Sequence, residues 1–242
     1  MRYLTAAIIG FAFIIGLFIV GNAYKSRAKS QESISVTGSA EKDFVSDLIV
    51  WKGSYSRKSM DLKSAYADLK NDENSIRAYL SGKGIPDNEI VFSSVNINKE
   101  YNYPTDANGR SIGQEFTGFN LTQTVRIESK DVDKINQLSR EATELIQKGI
   151  EFNSQAPLFY YTKLTEIKMD LLAKASADGK QRAEIIAKNA GSSLGNLKKA
   201  TLGVFQITGK NTDEDYTYGG AFNTSSLNKT GSITIKMQFA VE

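Results

Sequence analysis

The residues of this chain that could carry chemistry are carboxylates, because it contains no histidine and no cysteine. Their absence excludes thiol catalysis, disulfides, Ser-His and Cys-His relays, and most zinc, copper and haem sites. Glu41 and Asp47 are a candidate pair for hydrolysis, in which two carboxylates flank the scissile bond. Nothing in the sequence places them within reach of each other. The pattern therefore predicts a protein that is not an enzyme, with no catalytic residue.

An acidic cluster at Asp213, Glu214 and Asp215 lies in a segment rich in glycine and tyrosine. Oxygen ligands of this kind suit calcium, but the cluster lacks the alternating ligands and distant glutamate of an EF-hand loop. Phosphate-binding loops, dinucleotide fingerprints, nucleophile elbows and zinc spacings are also missing from the sequence. We therefore expect a solvated loop there, no metal site and no cofactor.

Four tyrosines mark two loops that could bind a ligand, residues 101–114 and 209–228. Tyr101 and Tyr103 begin the first loop, whereas Tyr216 and Tyr218 lie in the second. Such rings stack on sugars or on partner proteins, although aromatic residues at strand ends more often pack in a core or an interface. Both interpretations stay open at the level of sequence.

The first 24 residues form the most apolar stretch of the chain. No charged residue occurs between Tyr3 and Tyr24, and about 20 helical residues span the roughly 30 Å hydrocarbon core of a bilayer. A cleavable signal peptide is the alternative, with residues 21–23 as the cleavage site. The apolar core of about 17 residues exceeds the usual signal-peptide length, which favours an uncleaved transmembrane anchor at residues 1–24.

The net charge of +3 comes entirely from the segment around this anchor. Residues 1–32 contain four basic residues and one acidic residue, so the remainder of the chain is balanced. A neutral body with interspersed charge gives no electrostatic footprint for nucleic acid. The basic residues of the predicted linker, residues 25–32, weakly favour a cytoplasmic body under the positive-inside rule.

Three helices are predicted in the body, residues 33–242, from apolar residues that recur at three- and four-residue intervals. The first covers residues 59–80 and ends at a glycine pair, and the second covers residues 131–148 behind an acidic cap. The third lies within residues 161–195 and stops at residues 189–191, where Gly191 is placed to adopt the left-handed conformation.

The third helix carries a flat face of mostly small side chains: Leu172, Ala175, Gly179, Ala183, Ile186 and Ala190. A glycine in the middle of a helix costs about 1 kcal/mol relative to alanine, so Gly179 indicates close approach of another backbone. The face either lies on the protein's own sheet or forms an interface between subunits. Base rates favour the sheet.

Alternation of apolar and polar residues predicts strands between these helices. The segments are residues 34–38, 48–55, 90–98, 116–128, 149–161, 201–207 and 232–241. Residues 90–98 and 116–128 form a hairpin with a long tip at residues 101–114. The order βαββαβ followed by αββ predicts an α+β domain, with helices on one face of a mainly antiparallel sheet.

Several short segments resemble, in their order, the SIMPL domain, a family of bacterial envelope proteins. They are Ile34-Ser-Val36-Thr-Gly38, Asp47, Leu80 with Gly84-Ile85 and Asp87, Phe116-Thr-Gly118-Phe119, Gly149-Ile150, an alanine-rich helix (Ala173, Ala177, Ala183, Ala187) ending at residues 191–195, and Thr230-Gly231-Ser-Ile233-Thr-Ile235. The resemblance covers about residues 33–242, and the ordered set is its most specific feature.

The resemblance implies an α+β fold and an exported protein, typically in the periplasm of diderm bacteria. It also implies self-association, since at least one type assembles into a large ring-like or channel-like homo-oligomer. Relatives are linked to envelope integrity and oxidative-stress defence, and no catalytic residues exist to transfer. This chain departs from the commonest pattern through its apparent anchor and its longer hairpin tip at residues 101–114.

Two functions are therefore expected. The first is a non-enzymatic protein, anchored in the membrane by its N-terminal helix with its body outside the cytoplasmic membrane, that acts by homo-oligomeric assembly. The second is a periplasmic module that binds a ligand or a cell-wall fragment through residues 101–114 and 209–228.

Overall fold

The computed structural model describes residues 11, 13–21 and 32–242. The predicted anchor at residues 1–24 lies largely outside these residues, and so does the predicted linker at residues 25–32 except for Glu32. Residues 11 and 13–21 are helical. In the described part of the chain, no helix is both long enough and apolar enough to cross a bilayer.

The body contains three α-helices: α1 (Leu62–Gly82), α2 (Val132–Glu141) and α3 (Leu164–Asn189). Asp61 caps α1, since its carboxylate accepts a hydrogen bond of 2.8 Å from the Ser64 amide. The second predicted helix is split, because α2 tightens into a 3₁₀ helix at Ala142–Lys148 that ends at Gly149 with a φ of 74°. Gly191 has the predicted left-handed conformation, with a φ of 73°.

The strands form two antiparallel sheets rather than the single sheet that we predicted. The smaller sheet contains β1 (Ser33–Val45), β8 (Leu194–Leu202), β9 (Gln206–Gly209) and β10 (Asn228–Val241). The larger sheet contains β2 (Leu48–Ser59), β3 (Ile90–Phe92), β4 (Asn96–Asn102), β5 (Glu115–Ser129), β6 (Phe152–Ser154) and β7 (Leu158–Tyr160). The predicted class, α+β with antiparallel pairing, is confirmed.

Each sheet has its own hydrophobic core. Helices α1 and α2 pack on the larger sheet, around fully buried side chains that include Trp51, Leu69 and Ile127. Helix α3 packs on the smaller sheet, where Leu171 meets Ile235 and Met237 of β10 in one cluster. Each sheet therefore forms a layer with the helices that pack on it, and each layer has its own core.

Ser46 and Asp47 connect β1 to β2 and so join the two sheets. The Ser46 amide donates to Leu227 O at 3.0 Å, and the Asp47 amide donates to Tyr160 O at 3.0 Å. The Asp47 carboxylate accepts hydrogen bonds from the amide and hydroxyl of Thr162, both at 2.7 Å. These bonds fasten the start of α3 to the connection between the sheets.

In the smaller sheet, β10 lies in the centre. It pairs with β1 along one side, from Ser33 opposite Ala240 to Val45 opposite Asn228. On its other side it pairs first with β9 and then with β8. Strand β1 thus forms one edge of this sheet, and β9 and β8 together form the other.

Candidate functional site

Helix α3 contacts the smaller sheet through buried residues spaced four apart: Ile167, Leu171, Ala175, Gly179, Ala183 and Ala187. The close approach that Gly179 indicates is made to Gly38 of β1. A Cβ atom added to Gly38 would lie 2.1 Å from Ala175 O and 2.6 Å from Gly179 N. The helix and strand backbones therefore touch, and this contact lies within one chain.

The predicted small-residue face differs from this row in its register. Ala175, Gly179 and Ala183 lie in the contact and Leu172 is half-buried beside it. Ile186 and Ala190 are exposed, so they do not belong to the packed face. The contact follows one i, i+4 ridge, which drifts around the helix, whereas the predicted face mixed steps of three and four.

The two edges of the smaller sheet differ in how they are covered. At β1, the Ser39 amide donates to the Asp178 carboxylate of α3 at 2.9 Å, and Lys42 pairs with Asp170 at 2.8 Å. Hydrogen bonds from Ser39 and then from Arg182 lower the pKa of Asp178, which keeps it ionised as an acceptor. Helix α3 thus covers the outer edge of β1.

Strand β8 is the open edge of this sheet. Its only strand partner in the described residues is β10, and every residue from Asn196 to Leu202 is exposed. Leu197 and Leu202 expose 52% and 57% of their surface. Lys198 reaches across the sheet to Glu32 O at 3.0 Å, so it does not cover this edge. Beside β8, a groove of about 590 Å³ is lined by Leu194 and Phe239 and by Lys180 and Glu184 of α3.

A second open edge lies on the larger sheet. Strand β4 pairs only with β5 among the described strands, and six of its seven residues are exposed. Its apolar residue Ile97 exposes 51% of its surface. We call β4, its tip and the facing end of β5 (residues 96–122) the arm. Predicted loop residues Tyr101 and Tyr103 lie on the arm, where Tyr101 packs edge-on against Phe116 with ring centroids 5.7 Å apart.

The loop that contains Tyr216 and Tyr218 belongs to the smaller sheet, so the structure places the four predicted tyrosines at two separate surfaces. Tyr218 is fully exposed, and the Tyr216 hydroxyl lies 3.5 Å from the Glu41 carboxylate. Both rings line a cleft of about 310 Å³ together with Ser232 and Thr234. No ring contact or hydrogen bond joins the two predicted loops in the described part of the chain.

The candidate carboxylates have structural partners. Glu41 faces Tyr216, and Asp47 binds Thr162, so each carboxylate bonds to a different neighbour. In the acidic cluster, Glu214 accepts hydrogen bonds from the Gly209 amide and from Asn223. In the described residues, no three acidic side chains converge as metal ligands would.

Lys229 is a buried base that the sequence did not single out. Its Nζ donates to Ser226 O at 2.6 Å and to Asn223 O and Oδ1 at 2.7 and 3.1 Å. Burial lowers the pKa of Lys229 to about 8, although the nearby Glu214 carboxylate acts in the opposite direction. These three bonds fix residues 223–226 against β10, so Lys229 holds the tyrosine loop in place.

This depressed pKa predicts a pH dependence of stability. The ordinary pKa is 10.5, so between about pH 8 and pH 10.5 the unfolded state binds more protons than the folded state. The free energy of unfolding should therefore rise with pH across that window, by about 2 to 3 kcal/mol from this residue. Urea unfolding of the wild type and Lys229→Arg at both ends of the window measures the difference.

Arginine keeps the positive charge and does not titrate in this range, so its slope should be smaller than that of the wild type. Lys63→Met, at an exposed lysine on α1, is the control and should retain the wild-type slope. An equal slope in wild type and Lys229→Arg would show that the buried lysine does not titrate there.

The larger sheet contains a buried polar network around Gln123. The Tyr55 hydroxyl donates to Gln123 Oε1 at 2.6 Å, and Gln123 Nε2 donates to Glu73 and to Ser93 O at 3.1 and 2.9 Å. Burial raises the pKa of Glu73, but hydrogen bonds from Lys70 and Gln123 outweigh it, and the net pKa is lowered. Because its polar atoms are matched, this network belongs to the core.

The comparisons with known proteins add one identification. No curated protein matches this chain. The model of one family, SIMPL, described as a protein of unknown function (DUF541), matches residues 34–240. This match covers nearly the whole body described above and agrees with the resemblance drawn from its ordered segments. The chain belongs to the SIMPL family.

Proposed function

We propose that this protein is a non-enzymatic component of the cell envelope that acts by assembling with copies of itself. In this proposal the N-terminal segment anchors the chain in the membrane and the body lies outside the cytoplasmic membrane, in the periplasm. The assembled particle would contribute to envelope integrity or stress defence, as the family resemblance implies. The observation that carries the proposal is the open edge at β8.

An exposed edge strand offers a row of unpaired backbone donors and acceptors that another strand can complete. Strand β8 has nine residues, exposed leucines and an adjoining groove of mixed polar and apolar lining, whereas the opposite edge at β1 is covered by α3. This contrast supports β8 as the contact strand. The arm supplies a second open edge of seven residues.

Two different open edges on one chain support a heterologous contact, in which β4 of one copy adds to β8 of the next. Head-to-tail contacts of this kind produce closed rings when the rotation between copies closes. A contact between two β8 strands would instead stop at a dimer. We therefore propose the β4–β8 contact, which fits a ring-like or channel-like homo-oligomer.

Variants at each edge test the contact. Gly203 N donates to Thr234 O at 2.8 Å, so the antiparallel alternation points the Ala200 amide away from β10. Ala200→Pro should thus remove an outward donor without removing a ladder bond. Ile97→Lys places a charge on the other edge. Each variant alone should convert the full-length chain in mild detergent from oligomer to monomer, as measured by light scattering.

Mixing the two variants distinguishes the alternatives. Ala200→Pro retains an intact β4 edge, and Ile97→Lys retains an intact β8 edge. A heterologous contact therefore predicts a 1:1 dimer in the mixture, because only these two edges can pair. Met169→Lys, at an exposed methionine on the outer side of α3, is the matched control and should leave the oligomer intact. A wild-type monomer at micromolar concentration would refute the assembly, and an oligomer that persists in Ala200→Pro would refute the role of β8.

A further inference from the structure

In the part of the chain that the structure describes, no layer covers most of the face of the smaller sheet opposite α3. Val36, Gly38, Ile235 and Met237 point towards α3, so the residues between them point the other way. We call this second surface the open face, and its residues are Ser35, Thr37, Ser39, Lys199, Thr201, Thr234, Lys236 and Gln238. The proposed assembly through β4 and β8 does not involve this surface.

The open face is a grid of polar side chains set by the strand register. Gln238 lies between Ser35 and Lys199, and the next row places Lys236 between Thr37 and Thr201. Rows two residues apart are separated by about 7 Å in an antiparallel sheet. These two rows line a cleft of about 360 Å³, and both lysines belong to its lining.

The two charged residues among those eight, Lys199 and Lys236, are both basic. Lys199 and Lys236 form no ion pair or hydrogen bond in the described residues, although eleven other basic side chains of the body do pair with acids. The acidic side chains of β1 on this side of the sheet are Glu41 and Asp43, which lie beyond Ser39. Glu41 faces Tyr216, and Asp43 pairs with Lys210 at 2.8 Å. Two unneutralised ammonium groups therefore favour an anionic ligand.

The tyrosine loop closes one end of the open face. Tyr216 and Tyr218 line the cleft above Ser232 and Thr234, and β10 continues from Thr234 directly to Lys236. The two clefts thus follow consecutive same-face residues of one strand. An extended ligand along β10 would meet tyrosine rings first, hydroxyl groups next and ammonium groups last.

We propose that the open face binds an acidic oligosaccharide, with the tyrosines stacking on sugar rings and the lysines binding carboxylate groups. Hydroxyl and amide side chains provide the many donors and acceptors that a sugar chain requires. The eight residues of the open face are all polar and offer no apolar side chain to insert into a lipid bilayer, which disfavours a membrane surface.

This site does not depend on the proposed assembly. Strand addition at the outer edge of β8 would leave the open face uncovered and would extend it by one strand. A failure of oligomerisation and a failure of sugar binding are therefore separate results, seen in separate measurements.

Calorimetric titration of the full-length chain in mild detergent tests the site with three probes. They are tetragalacturonate, its neutral methyl ester and tetraglutamate. The wild type should bind tetragalacturonate, with the other two at least about tenfold weaker because each lacks one of the two required features. The double variant Lys199→Met/Lys236→Met and the single variant Tyr218→Ser should each weaken binding by about tenfold or more.

Lys63→Met on α1 removes a lysine elsewhere and should bind as the wild type does. Circular dichroism would verify that the exposed substitutions leave the fold unchanged. Equal binding of the ester, or wild-type affinity in the double lysine variant, would overturn the charge-based site. Equal binding of tetraglutamate would overturn its assignment to a sugar.

Discussion

Replacing Gly38 with alanine is expected to destabilise the body severely. The new Cβ atom would lie 2.1 Å from Ala175 O, 2.6 Å from Gly179 N and 2.8 Å from Gly179 Cα. All three are backbone atoms of α3, so no side-chain rotation relieves the clash and the helix must move off the sheet. Overpacking of this kind costs about 3 kcal/mol or more. Urea unfolding followed by circular dichroism measures the loss.

Gly179→Ala provides a graded comparison at the same contact. Its Cβ would meet Met237 Cε at 2.1 Å, which is the flexible end of a side chain, and Gly38 Cα at 3.2 Å. We expect a smaller loss than in Gly38→Ala. Gly82→Ala, where the added atom meets open space, is the control and should retain or slightly increase stability. Equal stability of Gly38→Ala and the wild type would contradict direct backbone contact.

Replacing Arg57 with methionine is expected to be comparably disruptive in the larger sheet. Arg57 binds the Asp72 carboxylate through two hydrogen bonds of 2.5 and 2.8 Å and donates a third, of 2.9 Å, to Gly149 O. Asp72 is only 5% exposed, so removal of the guanidinium leaves a buried charge without its partner. Such a loss costs about 3 to 5 kcal/mol in fully buried pairs, and about 3 kcal/mol at this partly exposed arginine.

The neighbouring residue supplies a matched control. Lys58 pairs with Glu100, but both side chains are substantially exposed. Lys58→Met should therefore change the free energy of unfolding by less than about 1 kcal/mol. Denaturant midpoints of both variants, measured at pH 7, separate the two cases. A loss of similar size in Arg57→Met and Lys58→Met would mean that the Asp72 charge is not buried in solution.

Helix α3 shows which structural features can be predicted from neighbouring residues alone. Composition and spacing predicted its end at residues 189–191 and the left-handed Gly191, because both depend on neighbouring residues alone. The need for close approach at Gly179 was also visible. Its partner Gly38 was not, because the partner is set by tertiary pairing between elements more than one hundred residues apart. The outward positions of Ile186 and Ala190 depend on that same packing.

The number of sheets was not predictable from alternation, which identifies strands but not their neighbours. Strand β1 continues to Val45, beyond the predicted segment at residues 34–38, because β10 pairs with it residue by residue. The predicted strand at residues 201–207 is instead the end of β8 and the start of β9. Pairing of the first strand with the last is a long-range property, and no local signal encodes it.

The candidate surfaces were predicted in part. Tyr216 and Tyr218 stood out because exposed aromatic residues in a polar loop are conspicuous in a sequence. Lys199 and Lys236 did not, because lysine is common on surfaces and only the register of β8 with β10 brings the two together. Alternation of serine and threonine at residues 35, 37 and 39 was a usable signal for one solvated face of a sheet.

The pairing of β1 with β10 also fixes the order in which the chain can fold during synthesis. All strands of the larger sheet lie between residues 48 and 160, so that layer can form while the ribosome is still adding later residues. The central strand of the smaller sheet, β10, follows all of these strands and ends at Val241. Strand β1 therefore waits without its partner until β10 has been synthesised. During that interval the backbone donors and acceptors that β1 later shares with β10 are unpaired, which exposes it to association with other strands.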